Sequence, residues 1–232
     1  MHAALLFGGG IESTVMAAFL CRWYGPENVM LVHIMYGQRT TEAEMRCTHG
    51  VARHLGCKWS HVSVVNMYRS GASGLLTHDK VDFLPEDGSN PSFVPARNMM
   101  LVTVGGCHAL SMGIRTLYLC VNGEVPDSAP FYDTKEDFVQ KAGDLFRSAS
   151  DRPDFDLRAP TLRLPKGRMI AAGLRIGAPF RWSMSCFDPQ KGPDGGFSPC
   201  QSCDPCVARH MGFLSAGDDV TDPVVKHRLL GQ

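Results

Sequence analysis

Four cysteines late in the chain carry the clearest chemistry. Cys186, Cys200, Cys203 and Cys206 follow the spacing C-x13-C-x2-C-x2-C. The overlapping C-x2-C pairs put three thiolates on one tight turn, and Cys186 closes a tetrahedral four-thiolate site across a Gly/Pro loop. Four thiolates leave no open coordination position, so the bound ion, zinc by this spacing, is structural. An iron–sulfur cluster uses similar thiolate spacings and stays open as the alternative. A redox pair is the remaining option. Asp204 and Pro205 read as turn residues of the knuckle. The second chemical signal is at the other end. Gly8-Gly9-Gly10 follows the apolar run Ala3–Phe7 and leads into Ile11-Glu12-Ser13-Thr14. Glycines let backbone N–H groups crowd a ligand with no Cβ in the way. The start of a helix adds unpaired N–H groups and a positive dipole end. Strand, glycine turn and helix together make a phosphate cradle. A tight turn before a core helix is the plainer alternative.

These residues need elements to position them. Strands are expected at Ala3–Phe7, Val29–Met35, Trp59–Val65 and Thr116–Val121, with an extended stretch at Asp154–Arg163. Helices are expected from Ile11 with Val15, Met16, Phe19, Leu20 and Trp23 on one face, from Thr41 to about Leu55, over Asn98–Ser111, from Asp133 to about Ser150 with Phe138, Ala142, Leu145 and Phe146 inward, and over Lys166–Ile176. Pro95 suits the first turn of the third helix, which is apolar nearly all round and should be deeply buried. Asn66–Ser92 is a long polar loop and Asn122–Tyr132 a shorter one. Alternating strands and helices predict βαβ units and a mostly parallel sheet with helices on both faces. Ligands of such sheets bind beyond the carboxyl ends of the strands, where the glycine turn, Tyr36–Arg39 and Asn122–Tyr132 all fall. From Gly177 the composition shifts to Gly, Pro, Cys and Ser. One domain over residues 1–232 is expected, with 177–217 as its small C-terminal zinc-binding part.

The bulk composition excludes several classes. The chain has 232 residues, with 23 Lys plus Arg against 23 Asp plus Glu. A net charge of zero supplies no global field for nucleic acid or anionic membrane. No apolar run approaches the roughly 20 residues that cross a bilayer, and no cleavable signal is read at the N-terminus. Nine cysteines, four of them clustered, suit a reducing cytoplasm and one metal site better than a disulfide framework. Cys21, Cys47, Cys57, Cys107 and Cys120 read as buried small hydrophobes.

The ordered set of motifs resembles the 7-cyano-7-deazaguanine synthases. It comprises the N-terminal glycine turn, YGQR at Tyr36–Arg39, FVPARN at Phe93–Asn98, YDTKEDF at Tyr132–Phe138, PTLRLPKGRM at Pro160–Met169, and SCFD at Ser185–Asp188 leading to the cysteines. The resemblance implies a pyrophosphate-loop ATPase with a five-stranded parallel sheet, similar to adenine nucleotide alpha hydrolases. It implies adenylation of the carboxylate of 7-carboxy-7-deazaguanine, attack by ammonia to give an amide, and a second activation that yields the nitrile. ATP, Mg2+ and Zn2+ are the implied cofactors, and a homodimer is common in the family. Catalysis then falls to Glu12, Ser13, Arg97 and Lys166, and nucleotide binding to Phe7, Gly8, Gly9, Gly10, Ile11, Glu12, Ser13 and Thr14. Substrate binding falls to Tyr36, Gln38, Arg39, Phe93, Asn98 and Asp133, and metal binding to the four cysteines. Arg97 suits a phosphate or carboxylate clamp, with a surface salt bridge as the alternative. Lys166 neutralises phosphate charge or simply opens a helix. Asp133 meets the guanine-like edge or caps its helix.

The chain leaves the family pattern in two places. The usual loop S-G-G-x-D-S here has Gly8 for the first serine and Glu12 for the aspartate, and the Cys186–Cys200 spacer is longer. Those loop changes motivate a second reading, a paralogue that joins the activated deazaguanine to a protein amine such as an N-terminus in an antiphage defence operon. A non-catalytic zinc-knuckle binding module is the third reading, opposed by Glu12, Arg97 and Lys166. A tRNA-thiolating relative is weaker still, since no cysteine outside the cluster is clearly placed for catalysis.

Overall fold

The computed structural model describes residues 1–83, 90–122, 132–217 and 221–226. Most of the expected Asn122–Tyr132 loop lies outside them. Five parallel strands form one sheet in the order β3-β2-β1-β4-β5. They are β1 (Ala3–Leu6), β2 (Val29–Met35), β3 (Lys58–Ser63), β4 (Thr116–Tyr118) and β5 (Asp156–Arg158). β1 is buried along its whole length because strands flank it and helices cover it, which is why it reads as an unbroken apolar run. The helices are α1 (Ile11–Tyr24), α2 (Thr41–Leu55), α3 (Arg97–Ser111), α4 (Glu136–Ala149), α5 (Lys166–Arg175), α6 (Asp204–Leu214) and the short α7 (Pro223–Lys226). None is long and apolar enough to cross a membrane. The strand order reverses direction between β1 and β4, and that switch point opens a crevice at the carboxyl edge.

Several details differ from expectation. β3 begins at Lys58 and ends at Ser63, β4 stops at Tyr118, and only Asp156–Arg158 of the expected extended stretch pairs with the sheet. α1 does not bury Phe19 and Trp23; Trp23 is 71 % exposed and stacks on Phe19. The helix is already covered on two other sides: Met16, Ala17 and Leu20 face the main core, and Ile11 and Val15 face a second cluster of Met169, Ile170, Phe180 and Phe213. Leu145 of α4 also points outward. α3 is less enclosed than its composition suggests, with Thr103, Cys107 and Ser111 forming a solvent stripe, so Cys107 is exposed rather than core. Pro95 precedes α3 instead of entering it, because Ala96 turns through a left-handed conformation (φ 51°) before the helix begins at Arg97.

The Cys186–Cys200 spacer holds a two-stranded hairpin, β6 (Gln190–Lys191) and β7 (Phe197–Ser198). It docks on α2 through Lys191 Nζ and Glu42, 2.8 Å apart, and through Arg46 over the buried Phe197 ring. The lengthened spacer is thus folded against the domain.

Candidate active site and metal centre

The glycine turn sits at the mouth of the crevice. Gly9 has φ 76°, and a Cβ there would lie 2.9 Å from Cys47 Cβ, so this position demands glycine twice over. Gly8 is different: a Cβ there meets nothing within 4 Å. The Gly9 carbonyl accepts a hydrogen bond from Met184 N at 2.8 Å, which ties the turn to the segment before the cysteines. Gly10 caps α1 with extended backbone, and the first N–H groups of α1 have no partner within the helix.

A two-lobed cleft lies over this turn. Both lobes share Gly8, Gly10, Glu12, Tyr36, Glu44 and Arg97. The first lobe, about 250 Å³, runs along the strand ends past Leu6, Phe7, Val32, His33, Ile34, Asn98, Leu101, Leu119 and Cys120. The second, about 230 Å³, runs toward Lys166, Ser185, Cys186, Phe187 and Pro205.

Lys166 is the first residue of α5, where a cation opposes the helix dipole. Its ammonium is held instead by an ion pair with Glu12 in the first turn of α1. The second apolar cluster clamps α1, α5 and α6 together, and Gly212 packs so closely on the Lys166 stem that a Cβ there would sit 2.9 Å from its Cγ. The pair therefore faces the cleft from two fixed helix starts.

Arg97 opens α3 and lines both lobes; it is not in a surface salt bridge among the described contacts. Tyr36 stands beside it. Burial pushes the Tyr36 phenol up to about 12, with the Arg97 guanidinium pulling the other way. Asp133 does not cap its own helix. Its Oδ2 accepts from Asn98 N at 3.0 Å and its carbonyl accepts from Asn98 Nδ2 at 3.0 Å, so it caps α3 from a distance and holds the Arg97–Asn98 corner.

Other expected site residues lie off the cleft. Gln38 is buried, with Oε1 accepting from Tyr36 N (2.8 Å) and Nε2 donating to Ile34 O (3.0 Å) and Glu44 Oε2 (2.8 Å). All its polar valences are spent on spacing Tyr36 from Glu44. Arg39 reaches away to Asp188 Oδ1 (2.6 Å) and the Asp79 carbonyl, lashing the long loop to the cysteine segment. Phe93 is half-buried outside both lobes. Ile11 is core, and the hydroxyls of Thr14 and Ser13 both donate to Gly10 O, at 2.8 and 3.2 Å; of the two, only Ser13 also lines the cleft. Cys120 lines the first lobe, but burial and the Glu12 carboxylate push its thiol up, so it is poorly suited to nucleophilic work.

Glu44 and His33 went unnoticed in the sequence. Glu44 is one of two acids in an ordinary helix start, with no local mark. His33 had a signal, since it is the one polar side chain in the strand VMLVHIM.

The four cysteine sulfurs lie within 4.8 Å of one another, and Cys186 Sγ and Cys203 Sγ are 3.9 Å apart. Backbone N–H groups of Asp188 and Cys200 donate to Cys186 Sγ, and that of Phe187 to Cys203 Sγ. Cys203 caps α6 and Cys206 lies in its first turn, at the positive end of the helix. Hydrogen bonds from Cys186 and Cys206 hold the Cys203 thiol well below its ordinary range. The arrangement suits one metal ion held by four thiolates.

Sheet order, glycine turn and cleft position define the class: an α/β domain of the pyrophosphate-loop ATPase type. Among solved structures, the fold is similar to the U34-tRNA thiolase NcsA from Methanococcus maripaludis, a structure containing a [4Fe-4S] cluster, with TM-score 0.50 and 15 % identity over 77 % of this chain and 58 % of that one. The family model described as "Queuosine biosynthesis protein QueC" matches residues 2–217. Proteins named 7-cyano-7-deazaguanine synthase match over nearly their full length. That of Nitratiruptor sp. is 30 % identical, covering 94 % of this chain and 96 % of its own, and that of Ectopseudomonas mendocina is 31 % identical, covering 93 % and 94 %. The one from Archaeoglobus fulgidus is 26 % identical over 97 % and 90 %. The chain belongs to the QueC family.

Proposed function

We propose that this protein is an ATP-dependent, AMP-forming C–N ligase that converts 7-carboxy-7-deazaguanine to the amide and then to the nitrile, 7-cyano-7-deazaguanine. The observation that carries this reading is the convergence of the glycine turn, the Glu12–Lys166 pair and Arg97 on one cleft at the sheet's switch point. The first lobe, with Leu6, Val32, Ile34, Leu101 and Leu119 among its walls, suits adenine, and the phosphates lie on the turn, where the N–H groups of α1 and Ser13 can donate. The second lobe suits the planar deazaguanine, with Phe187 as a stacking surface. A carboxylate oxygen attacks the α-phosphorus, the bond to pyrophosphate breaks, and Lys166 and Arg97 stabilise the charge that develops. Ammonia then displaces AMP. A second activation places AMP on the amide oxygen, and loss of the two remaining N–H protons with cleavage of the C–O bond releases AMP and leaves the nitrile.

Mg2+ commonly takes one protein carboxylate plus phosphate oxygens, and Glu12 is the carboxylate beside the phosphate site. Zinc is the ion proposed for the knuckle. Zn–S bonds of about 2.3 Å put tetrahedral sulfurs about 3.8 Å apart, close to the 3.9 Å between Cys186 and Cys203. With all four positions taken by thiolates, its role is to fold the C-terminal segment.

The test incubates the protein with ATP, 7-carboxy-7-deazaguanine and ammonium. AMP and pyrophosphate formed only with the carboxylate present, and a product of nitrile mass, are expected. ADP, or turnover indifferent to the carboxylate, would refute the reading. A mass gain on a second protein with no small product would favour the conjugating paralogue.

A further inference from the structure

His33 and Glu44 form an arrangement that the proposed chemistry above does not yet use. His33 is 1 % exposed, near the carboxyl end of β2. Its Nδ1 lies 3.1 Å from the Phe7 carbonyl, which can only accept, so Nδ1 carries the proton. In the neutral ring, Nε2 is then a bare lone pair. It is buried, has no hydrogen-bond partner among the described residues, and faces Glu44 Oε2 at 3.7 Å. Glu44 is itself turned into an acceptor: Thr40 Oγ1 donates to Oε1 (2.6 Å) and Gln38 Nε2 to Oε2 (2.8 Å). With the ring neutral, two acceptors face each other across this gap. A buried, unmatched lone pair is costly, and a proton delivered to this gap would gain both partners at once.

The gap opens on the cleft. Glu44 lines both lobes and His33 the first. The other cleft carboxylate, Glu12, is paired with Lys166 and is the proposed Mg2+ ligand. We propose that Glu44 is the general base of the amine-transfer step, with His33 as the positioning residue that holds the proton Glu44 receives. The assignment rests on the reading of the cleft as a carboxylate-activating site. In the step, ammonium loses one proton to Glu44, and that proton is shared with His33 Nε2. The nitrogen lone pair forms the C–N bond. The acyl C–O bond to AMP breaks with its electron pair on the phosphate oxygen, and the departing phosphate takes the second proton from nitrogen. The same base serves the later loss of an amide N–H.

The experiment separates activation from transfer. Exchange of labelled pyrophosphate into ATP needs only the deazaguanine carboxylate, whereas amide formation needs the base. In Glu44→Gln, amide formation from ammonium should fall about 10²–10⁴-fold, the usual scale of a lost general base. Hydroxylamine is largely unprotonated at neutral pH, so hydroxamate formation in the same variant should stay within about tenfold of the parent. Glu44→Asp should recover part of the ammonium rate. His33→Asn keeps a donor for the Phe7 carbonyl and removes the Nε2 lone pair along with the ring that contacts His61, so it should show the same ammonium-selective loss, to a smaller degree. Exchange that persists while both nucleophiles slow equally, exchange lost in Glu44→Gln, or an unchanged ammonium rate would each overturn the assignment. Absence of exchange in the unsubstituted protein would overturn the reading of the cleft, and the assignment with it.

Discussion

Substituting Gly9 by alanine tests the geometry on which the phosphate site rests. The backbone there has φ 76°, and an alanine in the left-handed region costs about 1–2 kcal/mol. The new methyl would stand 2.9 Å from Cys47 Cβ and 3.6 Å from Glu44 Cα, both on α2, and Cys47 is completely buried. Overpacking of that kind costs about 1–3 kcal/mol. Stiffening the unfolded chain returns about 0.4–1 kcal/mol. The net expectation is a loss of about 1–5 kcal/mol, which at about 2–3 kcal/mol per molar urea lowers the unfolding midpoint by about 0.3–2.5 M. The control is Gly8→Ala, whose methyl meets nothing within 4 Å and whose backbone is not left-handed. Its midpoint should stay level or rise slightly. Equal midpoints for the two variants would refute the assignment of strain and close packing to Gly9, and with it the claim that the turn is built around that residue.

Three further outcomes are expected. Gly8→Ser places a hydroxyl in the open space above the turn, and a hydrogen bond to a phosphate oxygen is worth about 1.5 kcal/mol, so ATP affinity measured by calorimetry should rise about tenfold with little change in stability. Asp222→Ala strips the buried Arg209 of its bidentate partner at 2.5 and 2.8 Å and should cost about 3–5 kcal/mol in denaturant unfolding, although Asp222 lies beyond the stretch matched by the family model. His61 is pushed down from 6.5 to about 4 by burial and by its neighbours His33 and His49, so the unfolded chain takes up a proton that the folded one refuses. Stability should fall as pH drops from about 6.5 toward 4, and a His61→Gln variant should flatten that slope.

The sheet was legible because its strands are apolar runs separated by helical periodicity, and the turn at its rim because three glycines stand at a strand–helix junction. The cysteine cluster was legible because its members are close in sequence and two of its gaps are C-x2-C. What failed had tertiary causes. Phe19 and Trp23 share a helical face with core residues, yet α5 and α6 occupy the side that Ile11 and Val15 serve, and no pattern within α1 reveals that competition. The YGQR motif marked the right corner of the fold, but only Tyr36 turns into the cleft; Gln38 is consumed by backbone groups and Glu44, and Arg39 by Asp188. Asp133 caps a helix 35 residues earlier in the chain, a pairing beyond the reach of local capping rules. Glu44 enters the site because α2 starts at the same rim as α1, which is a property of topology.

The cysteine knuckle has a consequence beyond folding its own segment. Cys186, Phe187 and Pro205 are at once part of the knuckle and the far wall of the second lobe, and Met184 on the same strand of chain is bonded to Gly9. Were the knuckle to hold a metal ion and the cleft a ligand, the two equilibria would act on one wall, and any coupling between them would be reciprocal, each shifting the other's affinity by the same factor.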